Sequence, residues 1–115
     1  MKLAIIGSRT LGQVDIEKYL PEGVDEIVSG GARGIDSLAR AFAESAGIKL
    51  TEFLPQYQSY GRAAPLVRNR QIADYADAAL VFWDGSSRGT KYTVELFEEL
   101  GKRVTLIIIR TTLPS

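Results

Sequence analysis

With 115 residues the chain has the length of one domain, and its 45% hydrophobic and 24% charged residues are the composition of an ordinary globular protein that can bury its own core. A formal net charge of zero argues against a protein whose main work is to neutralise a nucleic-acid backbone. The absence of cysteine and histidine excludes disulfides, thiol nucleophiles, Ser-His-Asp chemistry and the usual zinc ligands, so any catalysis has to use carboxylates, hydroxyls, lysine, arginine or backbone groups.

The first apolar run, "KLAIIG" (2–7), reads as a buried strand ending in glycine. "VDIEKYL" (14–20) reads as a short helix closed by Pro21 and Gly23, and "DEIVSG" (25–30) as a second strand. In "IDSLARAFAESAG" (35–47), residues Ile35, Leu38, Ala39, Phe42, Ala43 and Ala46 recur with helical spacing, which predicts a one-faced helix with Gly47 as its C-cap. A third strand is predicted over 48–54, then a loop over 55–65 rich in proline and tyrosine, then a helix over 66–76 with Pro65 at its start. "DAALVFWD" (77–84) is a fourth strand and 85–89 a loop. A helix over 90–101 has Val94, Phe97 and Leu100 on its inner face, and "RVTLIII" (103–109) is a fifth strand. Residues 1–110 thus form one domain, with 111–115 a C-terminal tail.

Strands this apolar are covered on both faces, as in a parallel sheet. Their alternation with helices predicts an α/β, doubly wound, Rossmann-like five-stranded parallel sheet with helices on both faces and right-handed crossovers. The N-terminal run is too short for a signal peptide and no apolar stretch can span a membrane, so a cytoplasmic protein with no membrane partner is expected, with neither metal nor cofactor.

In such a sheet a ligand sits at the carboxyl ends of the strands. The loops there carry "GSRT", "SGGARG", "YGRAAP" and "DGSSRG", each with an arginine: Arg9, Arg33, Arg62 and Arg88. Arg68 and Arg70 follow in the helix after the third loop. A neutral chain has therefore gathered guanidinium groups at one edge, where helix N-termini add partial positive charge and free N–H groups. Ser8, Thr10, Ser29, Ser86, Ser87 and Thr90 add hydroxyl donors. This predicts an anionic ligand, most naturally a phosphate. The glycines of "GGARG" have a second reading, since a tight strand-to-helix turn needs them whatever it binds.

"GSR" after the first strand, "SGGARGID" after the second, "RNRQIADYAD" leading into the fourth and "GSSRGT" after it resemble the SLOG superfamily across roughly residues 3–109. This Rossmann-like group includes the Lonely Guy cytokinin-activating proteins and the DNA-processing protein A domain, and the chain looks most like its small single-domain members. The resemblance implies a nucleotide or nucleotide-derived small molecule at the carboxyl edge. Gly7, Ser8 and Arg9 would line one wall, and Gly30, Gly31, Ala32, Arg33 and Gly34 the floor. Arg68 and Asn69 would reach in from the third helix, and Gly85, Ser86, Ser87, Arg88, Gly89 and Thr90 would cradle phosphate.

The chain departs from the Lonely Guy pattern where that family has a "PGGxGTxxE" loop with a catalytic glutamate; here the stretch is "WDGSSRGTKYTVE". N-glycosidic hydrolysis of a nucleoside 5′-monophosphate needs a carboxylate beside the sugar, and Asp36 and Asp84 are the nearest. Asp36 reads better as a helix cap. Asp84 is the candidate catalytic residue, with a ribose contact and a cap as its other readings. A third function, single-stranded DNA binding, would use Tyr57, Tyr60 and Trp83 as stacking surfaces, and the zero net charge makes it the weakest. A homodimer through Ile72, Tyr75 and Phe97 is open, as is a core role for the same residues.

Overall fold

The computed structural model describes residues 1–109, so the tail expected at 111–115 lies outside the described residues. Strand β1 (Lys2–Gly7) is bonded on both sides, to β2 (Glu26–Ser29) and to β4 (Ala78–Trp83). With β3 (Lys49–Glu52) and β5 (Arg103–Ile108) at the edges, the all-parallel sheet has the order β3-β2-β1-β4-β5. This is the predicted doubly wound α/β fold. The chain runs outward from β1 to β3 and then returns to the far side of β1, so the strand order reverses between β1 and β4 and a crevice opens at their carboxyl ends.

Alternate residues of the central strands feed two cores. Leu3 and Ile5 of β1 and Leu80 and Phe82 of β4 pack with Ile35, Ala39 and Ala43 of α2 (Ile35–Ala46) and with Ile16 of α1 (Ile16–Tyr19). Ala4 and Val81 pack on the other face with Ile72 and Ala73 of α4 (Ala64–Tyr75) and with Leu96 and Phe97 of α5 (Arg88–Glu99). Helix α2 follows its predicted pattern, and Gly47 caps it in the left-handed conformation at φ 68°, donating its N–H to Ala43.

Three expectations are corrected and one open reading is decided for Ile72 and Phe97. The helix predicted over 14–20 shrinks to α1, because Asp15 caps it by accepting from the Lys18 N–H and extended backbone resumes at Leu20. The loop over 55–65 contains a helical turn α3 (Tyr57–Tyr60) and a 3-10 turn (Gly61–Ala63) that run directly into α4. Helix α5 begins at Arg88 because Ser87 caps it, and it turns Thr90, Thr93, Leu96 and Phe97 inward, leaving Val94 half-buried and Leu100 exposed. The Thr93 hydroxyl is satisfied there by the Gly89 carbonyl at 2.9 Å, which lets a threonine replace an aliphatic residue in the core. Finally, Ile72 and Phe97 are core residues and Tyr75 packs edge-on against Phe53, so that strip offers no dimer surface.

The amino edge of the sheet is closed by its own polar groups. Glu26, buried at the start of β2, accepts from the Thr51 hydroxyl at 2.9 Å and from the Tyr75 hydroxyl, and it pairs with Lys49 at 3.4 Å. The hydroxyl of Tyr75 above all holds its carboxyl below the usual glutamate range. Among the described residues no helix is long and apolar enough to cross a membrane.

Gly7 ends β1 where α2 begins to pack. A Cβ there would stand 2.2 Å from Cγ1 of the buried Ile35. Gly7→Ala is expected to destabilise the fold by about 1–3 kcal/mol through overpacking. Because the clash is with one side chain, urea denaturation of Gly7→Ala/Ile35→Ala is expected to show less loss than the two single changes summed. Simple additivity would place the constraint elsewhere.

Candidate functional site

The β2–α2 loop "SGGARG" owes its shape to contacts at each of its glycines. Gly30 has no side chain because the guanidinium of Arg68, from α4, lies across it: a Cβ would stand 2.7 Å from Nη1 and 3.1 Å from Cζ. Gly31, at φ 69°, faces the side chain of Leu54. Gly34, at φ 72°, sits against the carbonyls of Leu11 and Arg9, which brings the first loop onto the second. The turn-building reading of these glycines is therefore correct as far as it goes.

Arg68 is 8% exposed. Its Nη1 donates to the Gly30 carbonyl at 2.7 Å and its Nε to Oδ1 of Asn69 at 2.8 Å. Asp36 stands behind the same guanidinium and accepts the Ala32 N–H at 2.9 Å. Burial lowers the affinity of Arg68 for its proton; the charge of Asp36 opposes this and the nearby charge of Arg9 adds to it. Burial likewise pushes the Asp36 carboxyl above the usual aspartate range, against the pull of the Ala32 N–H and Arg68. Asp36 thus ties down the loop rather than capping α2, whose N-cap is Gly34 with no side chain bonded to the helix end.

Two adjoining hollows meet at Arg9, Ala32 and Arg68. The larger, 740 Å³, is walled by Arg9, Gly30, Gly31, Arg33 and Ser37, with Pro55 and Tyr57 from the third loop. The smaller, 320 Å³, lies over the switch point and is lined by Gly7, Asp36, Leu66, Asn69, Ser87, Gly89 and Thr90, among others. Arg9, Arg33 and Arg68 are therefore brought together. Among the described residues neither Arg9 nor Arg33 forms an ion pair.

Other expected site residues lie off both hollows. Arg62, in the 3-10 turn, lines neither, and Arg70 pairs with Asp74 along α4 at 3.6 Å. Ser8 is buried, its hydroxyl accepting the Asp84 N–H at 3.1 Å. Gly85, at φ 89°, and Ser86 form the turn before α5, Arg88 is the exposed first residue of that helix, and Gly34 works through the backbone packing already described. Trp83 donates its indole N–H to the Ser87 carbonyl at 3.0 Å and braces this loop. Sequence reasoning did not single out Ser37, Pro55 or Leu66. Nothing in their types marks them, and only the packing of α3 and α4 carries Pro55 and Leu66 to the cleft.

Asp84 also lines neither hollow. One carboxylate oxygen accepts the N–H groups of Ser86 and Ser87 at 2.9 and 2.8 Å, and the other accepts the Thr10 hydroxyl at 2.8 Å. The Ser86 and Ser87 N–H groups, followed by Thr10, hold its carboxyl far below the usual aspartate range. So weak a base suits a loop clamp better than proton transfer.

The depressed carboxyl contributes stability that is present above the unfolded value, about 3.9, and is lost as pH falls through the folded one. Asp84→Asn is accordingly expected to lower Tm at neutral pH, and its deficit against the wild type to close as pH drops below about 4. A deficit that does not vary with pH would show that the charge contributes nothing.

Comparison of the chain with protein-family models, with curated proteins and with solved structures finds no match to any of them.

Proposed function

We propose that the cleft binds a nucleotide or nucleotide-derived phosphate ligand, with phosphate over "GGARG" between Arg9, Arg33 and Arg68. The observation that carries this reading is the juxtaposition of Arg9 with the buried Arg68 in the wall shared by both hollows, with Arg33 beside them in the larger one. One carboxylate, Asp36, faces them, and it is bonded to the loop. Gathering cations that repel one another costs stability unless an anion offsets it. The uncapped N-terminus of α2 adds unpartnered N–H groups on the same side. Tyr57 at the rim of the larger hollow and Leu66 at the smaller offer flat or apolar surface for a base. The resemblance of "GSR", "SGGARGID" and "RNR" to SLOG proteins points to the same ligand class.

Two features favour binding without turnover. The glutamate of the Lonely Guy loop has no counterpart at its position, and both nearby aspartates are already engaged, Asp84 by Ser86, Ser87 and Thr10 and Asp36 by Ala32. The "GSSRGT" loop contributes less to phosphate than its glycines and serines suggest. The N–H groups of Ser86 and Ser87 go to Asp84, and that of Thr90 goes to the Ser87 hydroxyl at 3.4 Å.

Calorimetry and thermal shift against nucleoside mono-, di- and triphosphates and ADP-ribose test the reading. Saturable binding is expected, weakened about tenfold or more by Arg9→Ala or Arg33→Ala with no loss of Tm in the free protein, because each change removes a charge-assisted contact and both side chains are exposed. Arg68→Met is expected to abolish binding and also to lower stability by about 1–3 kcal/mol, since it leaves the Gly30 carbonyl unpaired. No heat and no stabilisation from any nucleotide would sink the proposal. Release of free base would replace it with the phosphoribohydrolase reading.

A further inference from the structure

The two edges of the sheet are finished differently. β3 is short and its charges are paired, Lys49 with Glu26 at 3.4 Å and Glu52 with Arg40 at 2.8 Å. Such charged, abbreviated edges discourage pairing with another strand. β5 has fewer of these protections, its one charge being Arg103 at the first residue. It runs for six residues, its outer side pairs with no strand among the described residues, and Leu106 and Ile108 remain 40% and 50% exposed. Leu106 and Val104 form the floor of a groove walled by Val94 and Glu98 of α5 and by Lys102, and Leu100 is exposed at the end of that helix.

The charges flanking this groove identify what fits it. Lys91, Val94 and Glu98 fall on one stripe of α5, three and then four residues apart. The stripe is basic at its N-terminal end, apolar in the middle and acidic at its C-terminal end. Among the described residues Lys102 forms no ion pair with Glu98; its ammonium is held by the carbonyls of Ala73 at 2.6 Å and Asp74 at 3.0 Å. A sequence of plus, apolar and minus is complementary to itself when reversed. A two-fold axis that runs β5 antiparallel to a second β5 also runs α5 antiparallel to a second α5 on the same face of the sheet. Lys91 of each copy then meets Glu98 of the other, with the Val94 side chains between them. Helix α5 lies antiparallel to β5, so an axis through the centre of the stripe also passes near Thr105 and Leu106, the middle of the strand. Helix and strand therefore agree on a single axis, as an isologous interface requires.

We infer that the chain associates with a second copy of itself through β5, extending the sheet across a two-fold axis, with the α5 helices paired by Lys91–Glu98 contacts. The interface shares no residue with the two hollows around Arg9, Arg33 and Arg68, so it stands or falls independently of the ligand.

Sedimentation velocity and light scattering of the full chain test this, with variants checked for unchanged Tm. The wild type is expected at twice the chain mass. Leu106→Lys, at an already exposed position, is expected to be monomeric and folded. Lys91→Glu and Glu98→Lys are each expected to weaken association about tenfold, since each like-charge contact occurs twice. Mixing the two variants is expected to restore it, because the mixed dimer pairs opposite charges at both contacts. A wild type that stays monomeric at high micromolar concentration overturns the inference, whether residues 110–115 or another protein covers β5. A dimer indifferent to Leu106→Lys, or a mixture that fails to recover, overturns it as well.

Discussion

The carboxyl edge of this protein depends on one side chain laid across one glycine. Arg68 comes from α4, on one face of the sheet, and reaches the loop that leads into α2 on the other face, where it donates to the Gly30 carbonyl. Burying a guanidinium is tolerable only when its donors and its charge are answered. Gly30 and Asn69 accept from two of the donors and Asp36 opposes the charge. The arrangement fixes the neighbouring residue types: no Cβ at position 30, a carboxylate at 36 bonded to Ala32, and a loop folded tightly enough to bring them together. It also leaves Arg9 facing a second cation. A preformed cationic surface of this kind needs little reordering to receive an anion, which is the condition for useful affinity from few contacts.

The two helix N-termini at this edge are treated differently, and the difference assigns them different work. At α5, Ser87 caps the helix and Asp84 gathers the N–H groups of the turn, so the end is satisfied internally. At α2 the cap is a glycine with a positive φ, and no side chain occupies the helix end. Similar glycine and serine content thus yields one closed end and one open end. In Asp84 the chain has a group that looks catalytic by type and is structural by contact. A carboxylate that accepts several hydrogen bonds loses the basicity that proton abstraction requires.

The sheet was legible in the sequence because its signal is summed over whole segments: five apolar runs separated by amphipathic stretches admit few arrangements. The inner face of α2 was legible for the same reason, its apolar residues recurring over three turns. That of α5 was legible only at Phe97, because Thr90 and Thr93 are polar by type and become core through the Ser87 cap and the Gly89 carbonyl. In the site, Arg9, Arg33 and Arg68 could be found by asking which loops share an edge. Their separation from Arg62 and Arg88 could not, since a loop position says nothing of where a long side chain goes once α3 and the 3-10 turn redirect the chain. The strip of Ile72, Tyr75 and Phe97 looked equally suited to core or interface, and packing decided it. Two exposed apolar residues, Leu106 and Ile108, lie on β5, which sequence alone describes as one more buried strand.

The opposite edges of the sheet differ in how their charges are answered. At the amino edge Glu26 is buried, yet Thr51, Tyr75 and Lys49 surround it, so its charge is matched by groups the chain itself supplies. That edge gains nothing from a ligand. At the carboxyl edge the chain has buried a cation, placed another beside it and left a third on the rim, with Asp36 facing them and Glu52 paired with Arg40 nearby. Two clusters built from the same kinds of residue therefore differ in one respect: the first is neutralised from within and the second is not. A fold that satisfies its polar groups so fully elsewhere, with no buried side-chain nitrogen or oxygen lacking a partner among the described residues, keeps an electrostatic imbalance at its switch point at a cost in stability. An anion bound between Arg9, Arg33 and Arg68, as proposed, would offset that cost.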